Sequence, residues 1–203
     1  MSLYAKYVVP RLTDFCIRNK NVAQIRSELI PLAQGTVLEL GIGSGLNLRF
    51  YSARASRVYG VDPSLELLDI AHKRAKATSV RVDLVAQSAE EKLPLEDQSV
   101  DTVVVTWSLC SMGDPLRALH QARRVLRSTG QLLFVEHGLA SDAGVRTWQN
   151  RINPIWRRIG GGCNLNRKID DLIRSAGFEI SELQTKYLPG PRPLTYTYRG
   201  LAR

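Results

Sequence analysis

Residues 39–45 read Glu39-Leu40-Gly41-Ile42-Gly43-Ser44-Gly45, at the end of the short apolar stretch 36–40. Glycines at alternate positions, where a strand gives way to the next element, restrict the fold more than any other feature of the chain. They allow a tight turn and bring the backbone close to a ligand at the carboxyl edge of a parallel sheet. The dinucleotide fingerprint is G-x-G-x-x-G. Here the third glycine comes one residue early, which shortens the loop that would cradle a pyrophosphate. Asp62 lies 17 residues after Gly45 and ends a second strand-like stretch, 57–61. An acid there can accept hydrogen bonds from both hydroxyls of a ribose. Its structural alternative is an N-cap for a helix over 64–76.

The rest of the pattern extends this junction into a sheet. A helix is expected over 46–53. Leu65, Leu68, Ala71 and Ala75 recur at helical spacing, residues 80–86 alternate as a strand, and 100–106 are nearly all apolar and β-branched. Asp114-Pro115 opens a helix with Leu116, Leu119, Ala122 and Leu126 inward, and 131–137 form the fifth strand. A helical region over 143–158 is expected to break or kink at Pro154. A helix over 167–176 stops at Gly177, and strands over 178–188 and 194–202 close the chain. Such an order means an α/β, doubly wound, mostly parallel seven-stranded sheet with an antiparallel C-terminal strand pair.

Composition removes several classes of function. At 203 residues the chain is sized for a single domain, and no apolar run approaches the roughly 20 residues of a membrane span. Charges are scattered through the first 18 residues without a signal core, so a cytoplasmic protein is expected. Cys16, Cys110 and Cys163 lie far apart and give no disulfide framework, Cys110 and Cys163 read as buried, inert thiols, and His72, His120 and His137 form no zinc spacing. No metal is expected. The net charge is +9, concentrated at the ends: +3 over residues 1–30 and +6 over 141–203. One working surface therefore faces something anionic, or the basic residues are simply solvated.

Taken in order, these segments resemble the class I S-adenosylmethionine-dependent methyltransferases, more narrowly the type-11 group. Residues 39–45 resemble that family's first motif, with Glu39 the acid before the glycines, and Gly60-Val61-Asp62-Pro63-Ser64 resembles its second. The stretch from Gln87 to Leu95 resembles the segment that packs on adenine, with Ser88 where many members carry Asp, and Ala89 offering its backbone. Residues 99–109 and 123–130 resemble the fourth strand and the helix after it. The resemblance implies a Rossmann-like methyltransferase fold, with 1–34 an N-terminal helical cap, 35–140 the cofactor-binding half and 141–203 the substrate side. It implies S-adenosylmethionine as cofactor, with S-adenosylhomocysteine as product. Glu39, Gly41, Gly43, Gly45, Asp62, Pro63, Ser88, Ala89, Trp107 and Ser108 are the residues that would hold it.

Further motifs, Glu136-His137, Trp148, Pro154-Ile155-Trp156 and the run from Gly161 to Arg167, resemble the small methyltransferase-like proteins that methylate alkyl thiols. A small, apolar acceptor is implied, with thiol the first class to try. Quinone precursors, lipids or amines are the alternative acceptors, and a catalytically silent cofactor-binding protein is the alternative to an enzyme. Displacement at a sulfonium methyl needs alignment above all, and a thiol of pKa about 8.5 already supplies some thiolate near neutrality. His137, at the carboxyl end of the fifth strand, is the candidate catalytic base, with a buried structural histidine as its plain alternative. Tyr4 and Tyr7 would fold over the cofactor mouth. Residues 146–158 interleave arginines with Trp148, Ile152, Ile155 and Trp156: either a buried stripe with a wet face, a substrate lid, or a peripheral contact with an anionic membrane. No nucleic acid is expected as a partner, because no RNA-binding module is appended.

Overall fold

A computed structural model describes residues 19–203. Tyr4, Tyr7 and Cys16 lie outside the described residues. The described part of the expected N-terminal cap is helix α1 (Lys20–Leu29), opened by Asn19, whose side chain accepts from the Val22 N–H. Strands β1 (Gly35–Leu40), β2 (Ala55–Asp62), β3 (Arg81–Ala86), β4 (Val100–Thr106) and β5 (Leu126–His137) follow. Helix α2 (Leu65–Ala75) precedes β3 and α3 (Pro115–Val125) precedes β5. Beyond β5 come α4 (Ala143–Ile159), α5 (Ile169–Ser175), β6 (Ile180–Tyr187) and β7 (Tyr196–Ala202).

The seven strands order as β3-β2-β1-β4-β5-β7-β6. The first five are parallel, β7 runs antiparallel to β5, and β6 antiparallel to β7. Period-two alternation divides the core between the faces. Leu38, Leu40, Val103, Val105, Leu132 and Phe134 pack with Leu119 of α3 and Ile169 and Ile173 of α5. Val37, Val104, Leu133 and Val135 pack with Ile25 and Leu29 of α1 and Leu68 of α2. β4 is the strand most enclosed, its residues buried except Asp101, as its β-branched sequence requires. Chain order reverses between β1 and β4, so the loops leaving β1, β2, β3 and β4 open onto the crevice where doubly wound sheets bind ligands.

Three elements depart from the sequence expectation. The helix over 46–53 is only a 3-10 turn, Leu48–Phe50. Asn47 and Tyr51 on either side of it both reach back to Glu39, and Tyr51 takes an extended backbone that stops any helix. β5 begins five residues before the expected start, because the chain leaves α3 straight into pairing of Leu126 with Val100. Pro154 does not interrupt α4. It stands on the exposed side, where the carbonyl it leaves without an amide partner can bond to water.

Candidate active site

A cavity of about 540 Å³ lies at the carboxyl edge of β1, β2 and β4. Of the predicted cofactor residues, Glu39, Gly41, Gly43, Asp62, Pro63, Ser88, Ala89, Trp107 and Ser108 all line it. Gly45 does not; it packs beneath the loop, close to Leu48 and Ala71. His137 does not line it either. Its Nδ1 lies 3.4 Å from the Cys163 sulfur, away from the cavity.

The glycine loop is shaped from both sides. Gly41 has φ +66°, and a Cβ there would fall 2.3 Å from the Ser108 hydroxyl, so the first glycine lets the β1 and β4 loops touch. Gly43 has φ +53°, and its Cβ would meet nothing nearer than Leu67 at 3.8 Å and Asp62 at 4.0 Å, both cavity residues. That space is a cradle kept open for a ligand. Asp62 completes it. One carboxylate oxygen accepts from the Gly43 N–H at 3.0 Å and the other from the Ser64 N–H at 2.9 Å. The helix N-cap is Ser64, which accepts from Leu67, so Asp62 is not the cap that the sequence left open. Each Asp62 oxygen keeps a lone pair, and burial raises the carboxyl pKa above its ordinary value against those two bonds.

Beneath the loop lies a polar network that the sequence did not reveal. Asn47 donates to Glu39 at 2.9 Å and to Thr106 at 3.0 Å, and accepts from Arg26 at 3.1 Å. Tyr51 donates to the other Glu39 oxygen at 2.7 Å. Burial pushes the Glu39 carboxyl up to about 7 despite these donors. The Arg26 guanidinium stacks 4.7 Å over the Trp107 ring. Trp107 itself has φ +50°, a strained conformation for a bulky residue, with its N–H bonded to Val135. Behind the β4 loop, Glu136 accepts from the N–H groups of Ser108, Leu109 and Cys110, and burial again pushes its pKa to about 7. Glu136 thus sets the shape of the loop that carries Trp107 and Ser108. Alternation along β5 separates it from His137, as the sequence predicts.

The far wall comes from the C-terminal end of α4 and its turn: Arg157, Arg158, Gly161 and Gly162. Arg26 and Asn47 carried no motif; a buried arginine on α1 and an asparagine beyond the glycines become visible only once the strands are placed. The cysteines depart from expectation. Cys110 is buried, but Cys163 is only partly buried and sits against His137, because the turn after α4 folds back onto the β4 loop. Among the described residues no cluster fits a metal, and no helix is long and apolar enough to cross a membrane.

A methyltransferase-domain family model matches residues 38–134. Human thiol S-methyltransferase TMT1B is 36% identical over 200 residues, covering 93% of this chain and 80% of that protein. The rat TMT1B match is 35% identical and spans 77% of this chain and 64%, slightly under two thirds, of that relative. The structure of a SAM-dependent methyltransferase from Methanosarcina mazei superposes with a TM-score of 0.66 at 22% identity, covering 82% of this chain and 91% of that one. This chain belongs to the class I S-adenosylmethionine-dependent methyltransferases. The residues present fit the family's cofactor: the Gly43 cradle, the Asp62 lone pairs at the end of β2, and the Ser88-Ala89 turn all face one cavity.

Proposed function

We propose that the chain transfers the methyl group of S-adenosylmethionine to the sulfur of a small, largely apolar thiol. When bound, the cofactor supplies an activated methyl on a sulfonium with a good leaving group. What the chain must add is position and a supply of ionised acceptor.

The composition of the cavity wall carries the reading. Among the described residues that line it there is no histidine, lysine or tyrosine, and the carboxylates there already accept hydrogen bonds from the protein. Glu39 accepts from Asn47 and Tyr51, Asp62 from Gly43 and Ser64, and Glu90 from Gly113 and Asp114. Arg26, Arg157 and Arg158 supply positive potential. A wall whose described residues offer only hydrogen-bonded carboxylates and arginines suits an acceptor that ionises itself. A thiol does so near neutrality and more readily beside arginine, whereas an alcohol needs a positioned base. Ile42, Leu67, Trp107 and Met112 give the same cavity an apolar lining. The names of the TMT1B relatives point the same way. On this reading His137, which does not line the cavity, is not the base for the acceptor.

The surface of α4 supports a place for the chain to work. Its buried residues are the polar Gln149 and Asn153, while Trp148, Ile155 and Ile159 are 57%, 64% and 53% exposed. Arg146, Arg151, Arg157 and Arg158 share the helix, which has no acidic residue. An apolar face bordered by arginines suits peripheral contact with an anionic membrane, where apolar thiols concentrate. The free state of Cys110 and Cys163 agrees with a cytoplasmic location.

The test is an acceptor panel of matched alkane thiol, alcohol and amine with a quinone precursor, incubated with S-adenosylmethionine and read by mass spectrometry. Methyl thioether formed in step with S-adenosylhomocysteine is expected. Methylation of the alcohol, amine or quinone precursor instead of the thiol would overturn the assignment.

A further inference from the structure

The turn after α4 and the loop after β4 meet behind the cavity wall, and each brings a cysteine. Asn164 fastens the junction: its backbone N–H donates to the Cys110 carbonyl at 2.8 Å and its side-chain amide to the same oxygen at 3.0 Å. Neither Cys110 nor Cys163 is in a disulfide, and the two thiols lie in electrostatic reach of each other. His137 Nδ1 lies 3.4 Å from the Cys163 sulfur, while its Nε2 is buried with no partner among the described residues, in a residue only 7% exposed.

We propose that Cys163 and Cys110 form an oxidisable dithiol site for hydroperoxides, in which Cys163 is attacked first and Cys110 resolves the product to a disulfide. The two sulfurs have different surroundings. Cys163 is partly exposed and faces Cys110, the His137 ring and the Trp156 indole N–H; Cys110 is enclosed beside Ser111 and Glu136. Arg167 donates to the Leu109 carbonyl and sits in electrostatic reach of both sulfurs and of Glu136. Donation from Cys110 and then from His137 holds the Cys163 thiol well below the ordinary thiol range, against its burial. Cys110, sharing its proton with that thiolate and desolvated, is pushed up. This is the arrangement of an attacking and a resolving thiol.

The chemistry balances. The Cys163 thiolate attacks the terminal oxygen of the hydroperoxide, the O–O bond breaks, and an alkoxide or hydroxide leaves and takes up a proton. The Cys163 sulfenic acid no longer holds the Cys110 proton. Cys110 gives up that proton and attacks the Cys163 sulfur, and the S–O bond breaks to release water. Two sulfurs lose one electron each to the O–O bond. The disulfide would join the loop carrying Ser111 and Met112 to the turn carrying Gly161 and Gly162, all cavity residues.

The test uses the full chain, reduced, freed of reductant and treated with limited hydrogen peroxide. Proteolysis without reduction is expected to give a Cys110–Cys163 cross-linked peptide that dithiothreitol reverses. Reaction confined to Cys16, or peptides of Cys110 and Cys163 that stay reduced, would overturn the proposal. In Cys110→Ser a dimedone adduct is expected on Cys163, and a folded variant without one would count against the assigned order. Iodoacetamide should alkylate Cys163 at least about tenfold faster than Cys110 near neutral pH. In His137→Gln the pH midpoint of Cys163 alkylation is expected to rise, and an unchanged midpoint would remove His137 from the site. These readouts need no methyl acceptor, so they stand or fall separately from the proposed function.

Discussion

Replacing Gly43 by alanine separates the two things that a glycine loop does. Gly43 sits at φ +53°, so alanine there takes on the left-handed penalty of about 1–2 kcal/mol. Loss of unfolded-chain freedom returns about 0.4–1 kcal/mol of it. The new methyl meets no protein atom closer than 3.8 Å, so packing adds nothing further. The net cost of about 1 kcal/mol should lower Tm by about 2–4 °C in a chain of this size. Gly41→Ala has the same backbone penalty, but its methyl would fall 2.3 Å from the Ser108 hydroxyl and 2.6 Å from its Cβ. Ser108 is tied to Glu136 through its N–H, so that contact should add about 1–3 kcal/mol of overpacking. Stability therefore ranks wild type, Gly43→Ala, Gly41→Ala. Binding should rank differently, because the Gly43 methyl projects into the cradle beside Asp62. S-adenosylhomocysteine, titrated calorimetrically into Gly43→Ala, should bind at least about tenfold more weakly, a loss of about 1.4 kcal/mol. Thermal melts of both variants complete the assay. Wild-type affinity in Gly43→Ala, or a melt as low as that of Gly41→Ala, would refute this account of the loop.

Burial raises Glu39 and Glu136 from 4.5 to about 7 in the folded chain, so each stabilising contribution is complete below about pH 4.5 and is lost as pH rises through about 7. Urea denaturation should show stability falling over that window by up to about 3 kcal/mol per carboxyl, and Glu136→Gln should flatten the fall; a rise with pH would contradict the assignment. Asn47→Ala removes partners from Glu39, Thr106 and Arg26 at once and should cost about 3 kcal/mol by chemical denaturation, whereas a loss under about 1 kcal/mol would show that the network matters little. Replacing Trp148 and Ile155 by serine should weaken co-sedimentation with anionic vesicles at least about tenfold, since each exposed side chain offers about 1.5–3 kcal/mol on burial; unchanged sedimentation would remove α4 from any membrane contact.

The mostly parallel sheet with its antiparallel C-terminal pair and the glycine loop were legible because both rest on local pattern: strand-sized apolar runs alternating with helical segments, and glycines placed where β1 ends. Asp62 was legible by its position at the end of β2, though only the structure shows that Ser64 takes the capping role. The 46–53 segment was misread because a helix was expected to follow the glycine turn, while its conformation is set by bonds from Asn47 and Tyr51 back to Glu39. α4 shows the same limit in reverse. Its periodicity marks an apolar face, but the face is turned outward, because Gln149 bonds the backbone of Gly138, Ala140 and Pro193, and Asn153 that of Leu165. His137 and Cys163 are 26 residues apart and meet only because the turn after α4 folds back onto the β4 loop. No spacing rule joins such a pair.

The account rests on the cavity at the ends of β1, β2 and β4 holding S-adenosylmethionine through the Gly43 cradle and Asp62. The most direct test is calorimetric titration of S-adenosylmethionine, S-adenosylhomocysteine and NADH into the wild-type chain and into Asp62→Ala. Both sulfur nucleotides should bind and NADH should not, and the variant should lose about ten- to a hundredfold in affinity, as expected for a carboxylate hydrogen-bonded to a ribose. Binding of NADH in preference to the sulfur nucleotides, or equal affinity in Asp62→Ala, would contradict it.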